Sequence, residues 1–333
     1  MPFDVSVIIP TFNRGALIGA TLDSVLAQSH QAAEIIVVDD GSTDNTADFV
    51  GRQYPMVKLI RTANFGAPHA RNIGAGASHF EWIAFLDSDD LWMPDKLKAH
   101  ARLAELAPEV SYAFSNFRII DGQQWRSGTK FDEAPAGFFE LRGCRPAPGF
   151  FVCEEPIQRR ILCFQPIFPS AIVMTRDFFA RTGRWDESLG RTASEDLEFT
   201  LRCVSHSPIG IIEAPLVGIR KHPGNFSSNL LRRLFGEIAI LQYVAGRHSL
   251  SPEVLETLRE QITERRKEAA EVAFTSGQLP EFREVLRAVA PKDLHGRLWL
   301  KSVVARFPPP LDRFSRKVML SLSRSIRRRG PNT

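Results

Sequence analysis

The chain has 333 residues, 44% hydrophobic and 24% charged, with a formal net charge of +4. These values fit a soluble globular protein, either one large domain or a domain with an appendage. No stretch approaches the roughly 18 consecutive apolar residues of a membrane-spanning helix, and "MPFDVSVIIPTF" carries an aspartate but no basic leader, so no signal peptide is expected.

The first 120 residues alternate strand-like and helix-like patterns. "VSVIIP" (5–10) is a compact strand, and 15–28 place Leu17, Ile18, Leu22, Val25 and Leu26 at helical spacing. "EIIVVDDG" (34–41) predicts a buried strand, "STDNTADFVGRQ" a helix, "VKLIRT" (57–62) a strand and "APHARNIGAGAS" a helix. "WIAFLDSDD" predicts a fourth strand, and 94–106 a helix opened by Pro94. Apolar strands alternating with helices indicate an α/β fold with a mostly parallel sheet covered on both faces. In such sheets ligands sit beyond the strands' carboxyl ends, where this chain has "PTFN", Asp39-Asp40 and Asp87-Ser88-Asp89-Asp90.

From 121 to 168 the chain is rich in Gly, Pro and aromatics and reads as loop with short elements. "SAIVMT" (170–175) returns to strand, "SEDLEFTLRCVS" (194–205) reads as a helix with Ser194 as N-cap, and "PIGIIEAPLVGIRKH" gives one or two strands. After about 230 the pattern is helical only: Ser251 caps a helix with Pro252 in its first turn and Leu255, Leu258 and Ile262 on one face. Cys144, Cys153, Cys163 and Cys203 form no CxxC pair and read as reduced thiols of a cytosolic protein.

Residues 311–330 hold seven Lys/Arg and one Asp, a net +6, so the rest of the chain carries about 4 − 6 = −2. Leu311, Phe314, Val318, Met319, Leu322 and Ile326 share one helical face there, which reads as a helix on an anionic membrane surface, as one packed on its own protein, or as a disordered end. Nucleic-acid binding would rest on this tail alone, without an aromatic platform, and is not expected.

Carboxylates two apart on extended chain, as in Asp87 and Asp89, can converge on one hard cation that keeps positions for phosphate oxygens. The alternative is a solvated acidic turn. Arg71 reads either as a counter-charge for phosphate or as an exposed helix residue. No GxGxxG follows the first strand, which disfavours a nicotinamide dehydrogenase. The Gly-rich basic signature of a sugar-phosphate nucleotidyltransferase is also missing.

The motifs "VSVIIPTFNR", "EIIVVDDGSTDNT", "NFGAPHARNIG", "AFLDSDDLW" and "SEDLEFTLR", in this order, resemble glycosyltransferase family 2 over roughly residues 4–228. The resemblance implies a GT-A fold in residues 1–230, followed by a helical region, 231–333, with the basic tail. It implies an inverting transfer from a nucleotide-diphosphate sugar, with a UDP-sugar favoured, to a glycan or lipid-linked acceptor, in the cytoplasm or on the inner face of the membrane. By position it places Pro10, Thr11, Asn13, Asp39, Asp40, Arg71, Asp87 and Ser88 at the nucleotide sugar. Asp89, with Asp87 and His222, falls at a Mn2+ or Mg2+ ion, and Asp196 beside Glu195 falls at the catalytic base. Read without the resemblance, His222 is a surface loop residue and Glu195 a helix cap. The competing reading is a catalytically inactive relative that binds nucleotide sugar or another protein.

Overall fold

The computed structural model describes residues 3–122, 124–190, 192–222, 229–294 and 296–304. The chain divides into two compact units, 1–228 and 229–333.

The first unit runs β1 (Val5–Thr11), α1 (Ile18–Leu26), β2 (Glu34–Asp39), α2 (Thr46–Gln53), β3 (Lys58–Arg61), α3 (Ala67–Gly76), β4 (Trp82–Phe85), β5 (Leu91–Trp92) and α4 (Lys96–Leu106). It continues with β6 (Tyr112–Asp121), β7 (Gln124–Trp125), β8 (Gly143–Ala147), β9 (Phe150–Cys153), α5 (Gln158–Cys163), β10 (Ile172–Thr175), α6 (Arg176–Arg181), α7 (Glu195–Cys203) and β11 (Ile209–Lys221). The sheet order is β3-β2-β1-β4-β10-β6-β11-β9-β8. The first four strands are parallel, as alternating strands and helices require. Beyond them the sheet is mixed: β10 runs antiparallel between β4 and β6, β6 and β11 are parallel, and the β8–β9 hairpin extends the edge.

Side-chain alternation along the strands assigns the two faces. Val5, Val7 and Ile9 of β1 and Val37 of β2 pack with Ile18, Leu22 and Val25 of α1, Val50 of α2 and Leu97 of α4. The opposite face packs on α3, where Ile36 and Val38 meet Ala70. A β-carbon at Gly74 would fall 2.4 Å from Ile8 Cγ2, so this glycine sets how closely α3 lies on the sheet. Phe85 of β4 meets Phe179 of α6 and Trp185, and both rings meet Phe199 of α7, which places α6 and α7 on the α3 face.

Two expectations change. The fourth strand stops at Phe85, and residues 87–90 form a turn closed by Asp90 N–H donating to the Asp87 carbonyl (3.0 Å). Ser194 is not a side-chain N-cap: it sits at φ 68°, ψ 31° and its hydroxyl makes no capping bond. The four cysteines are unbridged.

The second unit holds α8 (Leu230–Arg247), α9 (Pro252–Ser276), α10 (Leu279–Arg287) and α11 (Gly296–Val304). Ser251 caps α9 through Val254 N–H, and Gly277, at φ 84°, ends it. Phe274 and Phe282 join α9 to α10. Among the described residues no helix is long and apolar enough to cross a membrane. The basic segment 311–330 lies outside the described residues.

Candidate active site

The carboxyl ends of β1, β2 and β4 bring the acids expected from sequence to one rim. Thr11 and Asp39 are register partners at the ends of β1 and β2, after the buried pair Pro10 and Val38. Both are almost fully buried, yet Thr11 Oγ1 and Asp39 Oδ2 have no hydrogen-bond partner. Asp39 Oδ1 accepts from Ser42 N–H (3.2 Å), and Arg61 Nε lies 3.7 Å from Oδ2. A buried carboxylate oxygen left unpaired costs stability, and such a group in a native fold calls for a partner.

Asp40 and Asn13 behave differently, because their side chains build loops. Asp40 accepts from Thr62 Oγ1 (2.7 Å), Phe65 N–H (2.9 Å) and Gly66 N–H (2.7 Å), and so shapes the entry to α3. Asn13, in the left-handed region at φ 52°, accepts from Thr43 N–H (2.8 Å) and fastens the 42–44 loop to the end of β1. Both residues position the rim.

Arg71 is not an exposed helix residue; it is 3% exposed. Its guanidinium donates to Asp87 Oδ1 (2.7 Å) and Glu195 Oε1 (3.1 Å) and lies 4.4 Å over the Trp185 ring. Burial opposes its charge, but Asp87 and Glu195 more than offset this and its pKa is raised. Arg71 therefore ties the Asp87 turn to the first turn of α7. The adjacent Asn72 fixes the Trp185 segment by donating to the Trp185 carbonyl (2.9 Å) and accepting Trp185 N–H (3.0 Å).

The turn separates the two carboxylates of the Asp-x-Asp element. Asp87 faces Arg71, whereas Asp89 Oδ2 lies 3.0 Å from His222 Nε2 and 3.4 Å from Arg14 Nε. The chain turns there, and the two carboxylates take different partners. Ser88 is buried, and its carbonyl shares the Thr21 hydroxyl with that of Asp90 (3.0 and 2.9 Å). Asp90 accepts from Ser170 Oγ (2.5 Å) and Arg220 N–H (3.1 Å), while Ser170 Oγ also takes Asp87 N–H (3.1 Å). Burial, then Asp89 and Asp87, push the Asp90 carboxyl well above the usual carboxylate range. No local sequence pattern marks Ser170, Arg14 or Trp185 as parts of this rim.

Among the described residues no group of three or more His, Cys, Asp and Glu could hold a metal. Asp89 and His222 are hydrogen-bonded to each other at 3.0 Å, and a carboxylate with an imidazole is a donor set that would suit a divalent ion. Asp196, half-buried in the first turn of α7, follows Glu195 by about 100° around the helix.

Residues 6–161 match the family profile described as Glycosyl transferase family 2. An uncharacterized glycosyltransferase of Nostoc sp. is 40% identical over 176 residues, 49% of this chain and 54% of its own length. The Escherichia coli protein named UDP-Glc:alpha-D-GlcNAc-diphosphoundecaprenol beta-1,3-glucosyltransferase WfaP is 36% identical over 117 residues, 34% of this chain and 46% of its own. The chain thus spans about half the length of these two relatives. The structure of S. aureus TarS 1-349 in complex with UDP-GlcNAc superposes with a TM-score of 0.63 at 19% identity, covering 97% of this chain and 92% of that one. At that identity the likeness shows the fold, an α/β sheet flanked by helices of GT-A type.

Proposed function

Since residues 6–161 match the profile of glycosyltransferase family 2, we propose that the chain is a metal-dependent inverting transferase moving a sugar from a UDP-sugar to an acceptor hydroxyl. The reading rests on the two orphaned polar atoms at the rim, Thr11 Oγ1 and Asp39 Oδ2. A carboxylate oxygen buried without a donor suits the ring N–H of uracil, a charge-assisted hydrogen bond in a dry site. Thr11 beside it suits the nucleoside. UDP is favoured over other nucleotides because WfaP is named for UDP-glucose and TarS was solved with UDP-GlcNAc. The diphosphoundecaprenol-linked acceptor in WfaP's name supports a lipid-linked glycan as the acceptor class.

Asp89 and His222 would hold Mn2+ or Mg2+, which when bound supplies Lewis-acid stabilisation of the diphosphate leaving group. Arg14, 3.4 Å from Asp89, adds positive charge where the leaving group gathers negative charge. Asp196 takes the proton from the acceptor hydroxyl as it attacks the anomeric carbon. Glu195 is the weaker candidate for that role because Arg71 already holds its carboxylate. Arg71 acts as a positioning residue that sets the distance between the metal-side turn and α7.

Calorimetry and turnover test this together. Asp196→Asn should abolish transfer while UDP affinity stays within about twofold, a factor below RT in free energy. Asp89→Ala should remove the Mn2+ dependence of UDP binding. Loss of UDP binding in Asp196→Asn would count against the assigned base. Metal-dependent UDP binding without turnover of any nucleotide sugar would favour the inactive-relative reading.

A further inference from the structure

A second concavity opens in the first unit, in the region the sequence left as loop. It encloses about 370 Å³ and is lined by Asn116, Phe131, Phe139, Arg145, Phe151 and Glu213, among others. We propose that this cleft is the subsite for a neutral sugar ring of the acceptor, an inference that rests on the glycosyltransferase reading above.

Three observations carry it. The first is placement. Val173 pairs with Ala84 of β4 and with Ala113 of β6, so the two strands run in the same direction and Asn116 lies three residues beyond the point level with Ala84. It lies two strands away, about 10 Å at the usual spacing. Tyr112 of the same strand stacks on Phe178 of α6, while Phe117 points to the α1 and α4 face. By alternation Asn116 shares the face of α7, the helix that begins with Glu195 and Asp196. The cleft therefore opens on the sheet face that α7 also covers.

The second is construction. The β6–β11 register slips between Ile212 and Pro215 and again before Val217, so Glu213 is an extra residue that the ladder does not pair. Such bulges re-aim side chains beside active sites. Glu213 accepts from Arg145 Nη1 (2.7 Å). Asn116, 3% exposed, accepts from Phe131 N–H (3.1 Å) and donates to Thr129 Oγ1 (3.0 Å), and so holds the Phe131 loop over the strand.

The third is chemistry. Phe131 and Phe139 are paired, with ring centroids 4.6 Å apart, and Phe139 is 37% exposed. Exposed ring faces beside a carboxylate and a guanidinium offer one apolar plane and several hydrogen-bonding groups, the two things a pyranose presents in turn. Asp132 also lines the cleft, and Thr129 N–H and then the Thr129 hydroxyl hold its carboxyl below the usual range, so it is ionised. With Glu213 and Arg145 the lining carries −2 + 1 = −1. A uronate or phosphorylated sugar is disfavoured there, and a neutral ring is accepted.

Ligand-observed NMR with methyl glucoside, methyl N-acetylglucosaminide, methyl galactoside and methyl glucuronide, each at millimolar concentration, reads the site directly. At least one neutral glycoside should give saturation transfer, with the glucuronide weaker. Phe139→Ala and Glu213→Gln, both at the surface, should each weaken that binding about tenfold, as loss of a ring contact or a charge-assisted bond implies. UDP affinity and the unfolding midpoint should hold in both variants. Silence from every neutral glycoside, or equal binding by both variants, overturns the subsite. Glucuronide binding as strong as that of the neutral sugars overturns its charge selectivity. Glycoside binding that responds to these variants in a protein that binds no UDP would keep the subsite and sink the transferase reading instead.

Discussion

Asp39 and Asp40 are neighbours of one residue type, and the fold uses them in opposite ways. Asp40 accepts three hydrogen bonds, two of them from backbone N–H groups of the partly buried turn into α3. Removing it leaves those donors without a partner, at about 1–3 kcal/mol each. Asp40→Ala should therefore lower unfolding free energy by about 3 kcal/mol in a urea titration, with nucleotide binding lost only as the fold is lost. Asp39 has one buried oxygen without a hydrogen bond, facing only Arg61 Nε at 3.7 Å, so the fold gains less from it than from Asp40. Asp39→Ala should leave stability within about 1 kcal/mol or raise it, while UDP affinity falls about 10- to 100-fold, the worth of a charge-assisted bond. Equal stability losses in the two variants would mean that Asp39 is a structural acid.

At the scale of the helix, α3 positions Arg71 only because Gly74, one turn later, lets the helix lie against β1. Alanine there gains about 1 kcal/mol of helix propensity. Its β-carbon, however, falls 2.4 Å from Ile8 Cγ2 and 3.3 Å from Val38 Cγ2, and overpacking typically costs about 1–3 kcal/mol. The second effect should win: Gly74→Ala should destabilise the protein by about 1 kcal/mol and lower turnover more than UDP affinity, because Arg71 is displaced from Asp87 and Glu195. Helix α4 makes a different bargain. Lys96 is fully buried, donating to the Ala171 carbonyl (3.1 Å), 3.2 Å from His100 Nε2 and 5.1 Å from the Trp92 ring centre. Among the described residues no carboxylate pairs with it. Burial holds its pKa well below the usual value, and burial together with Lys96 does the same to His100. The unfolded chain then binds protons that the fold resists, so stability rises with pH, up to about 6.5 for His100 and about 10.4 for Lys96. Lys96→Met removes the upper part. The wild-type-minus-variant difference in unfolding free energy should climb by up to about 1.4 kcal/mol per unit between about pH 8 and 10. A flat difference would show that the lysine is charged in the fold.

Across the whole molecule, what the sequence made legible follows the range of the interactions involved. The β1–β4 half has strands that are continuous apolar runs with local helical crossovers, so pattern alone carried it. Strand β6 escapes the pattern because "YAFSNFRIID" has two polar residues at its centre, Ser115 buried by packing with its hydroxyl unpartnered and Asn116 buried by side-chain hydrogen bonds. The insertion of β10 between β4 and β6 is a pairing over some 60 to 90 residues that no local pattern encodes. Asp87 and Asp89 were found by spacing, but their parting follows from the Thr21, Ser170 and Arg71 contacts, which come from distant segments. The same division of the chain yields a prediction for unfolding. The rim lies in the unit 1–228, and the unit 229–333 has its own buried side chains, among them Leu258, Ala270, Phe274 and Phe282. A ligand that binds only the folded first unit stabilises it by about 2.7 kcal/mol at a hundred times its Kd. For a unit of this size that is about 5–10 °C in midpoint. Scanning calorimetry with UDP and Mn2+ should therefore move one transition upward by that amount and leave a second in place. A single transition that shifts as a whole would show that the two units unfold as one. Two transitions that both ignore UDP and Mn2+ would remove the nucleotide from the rim.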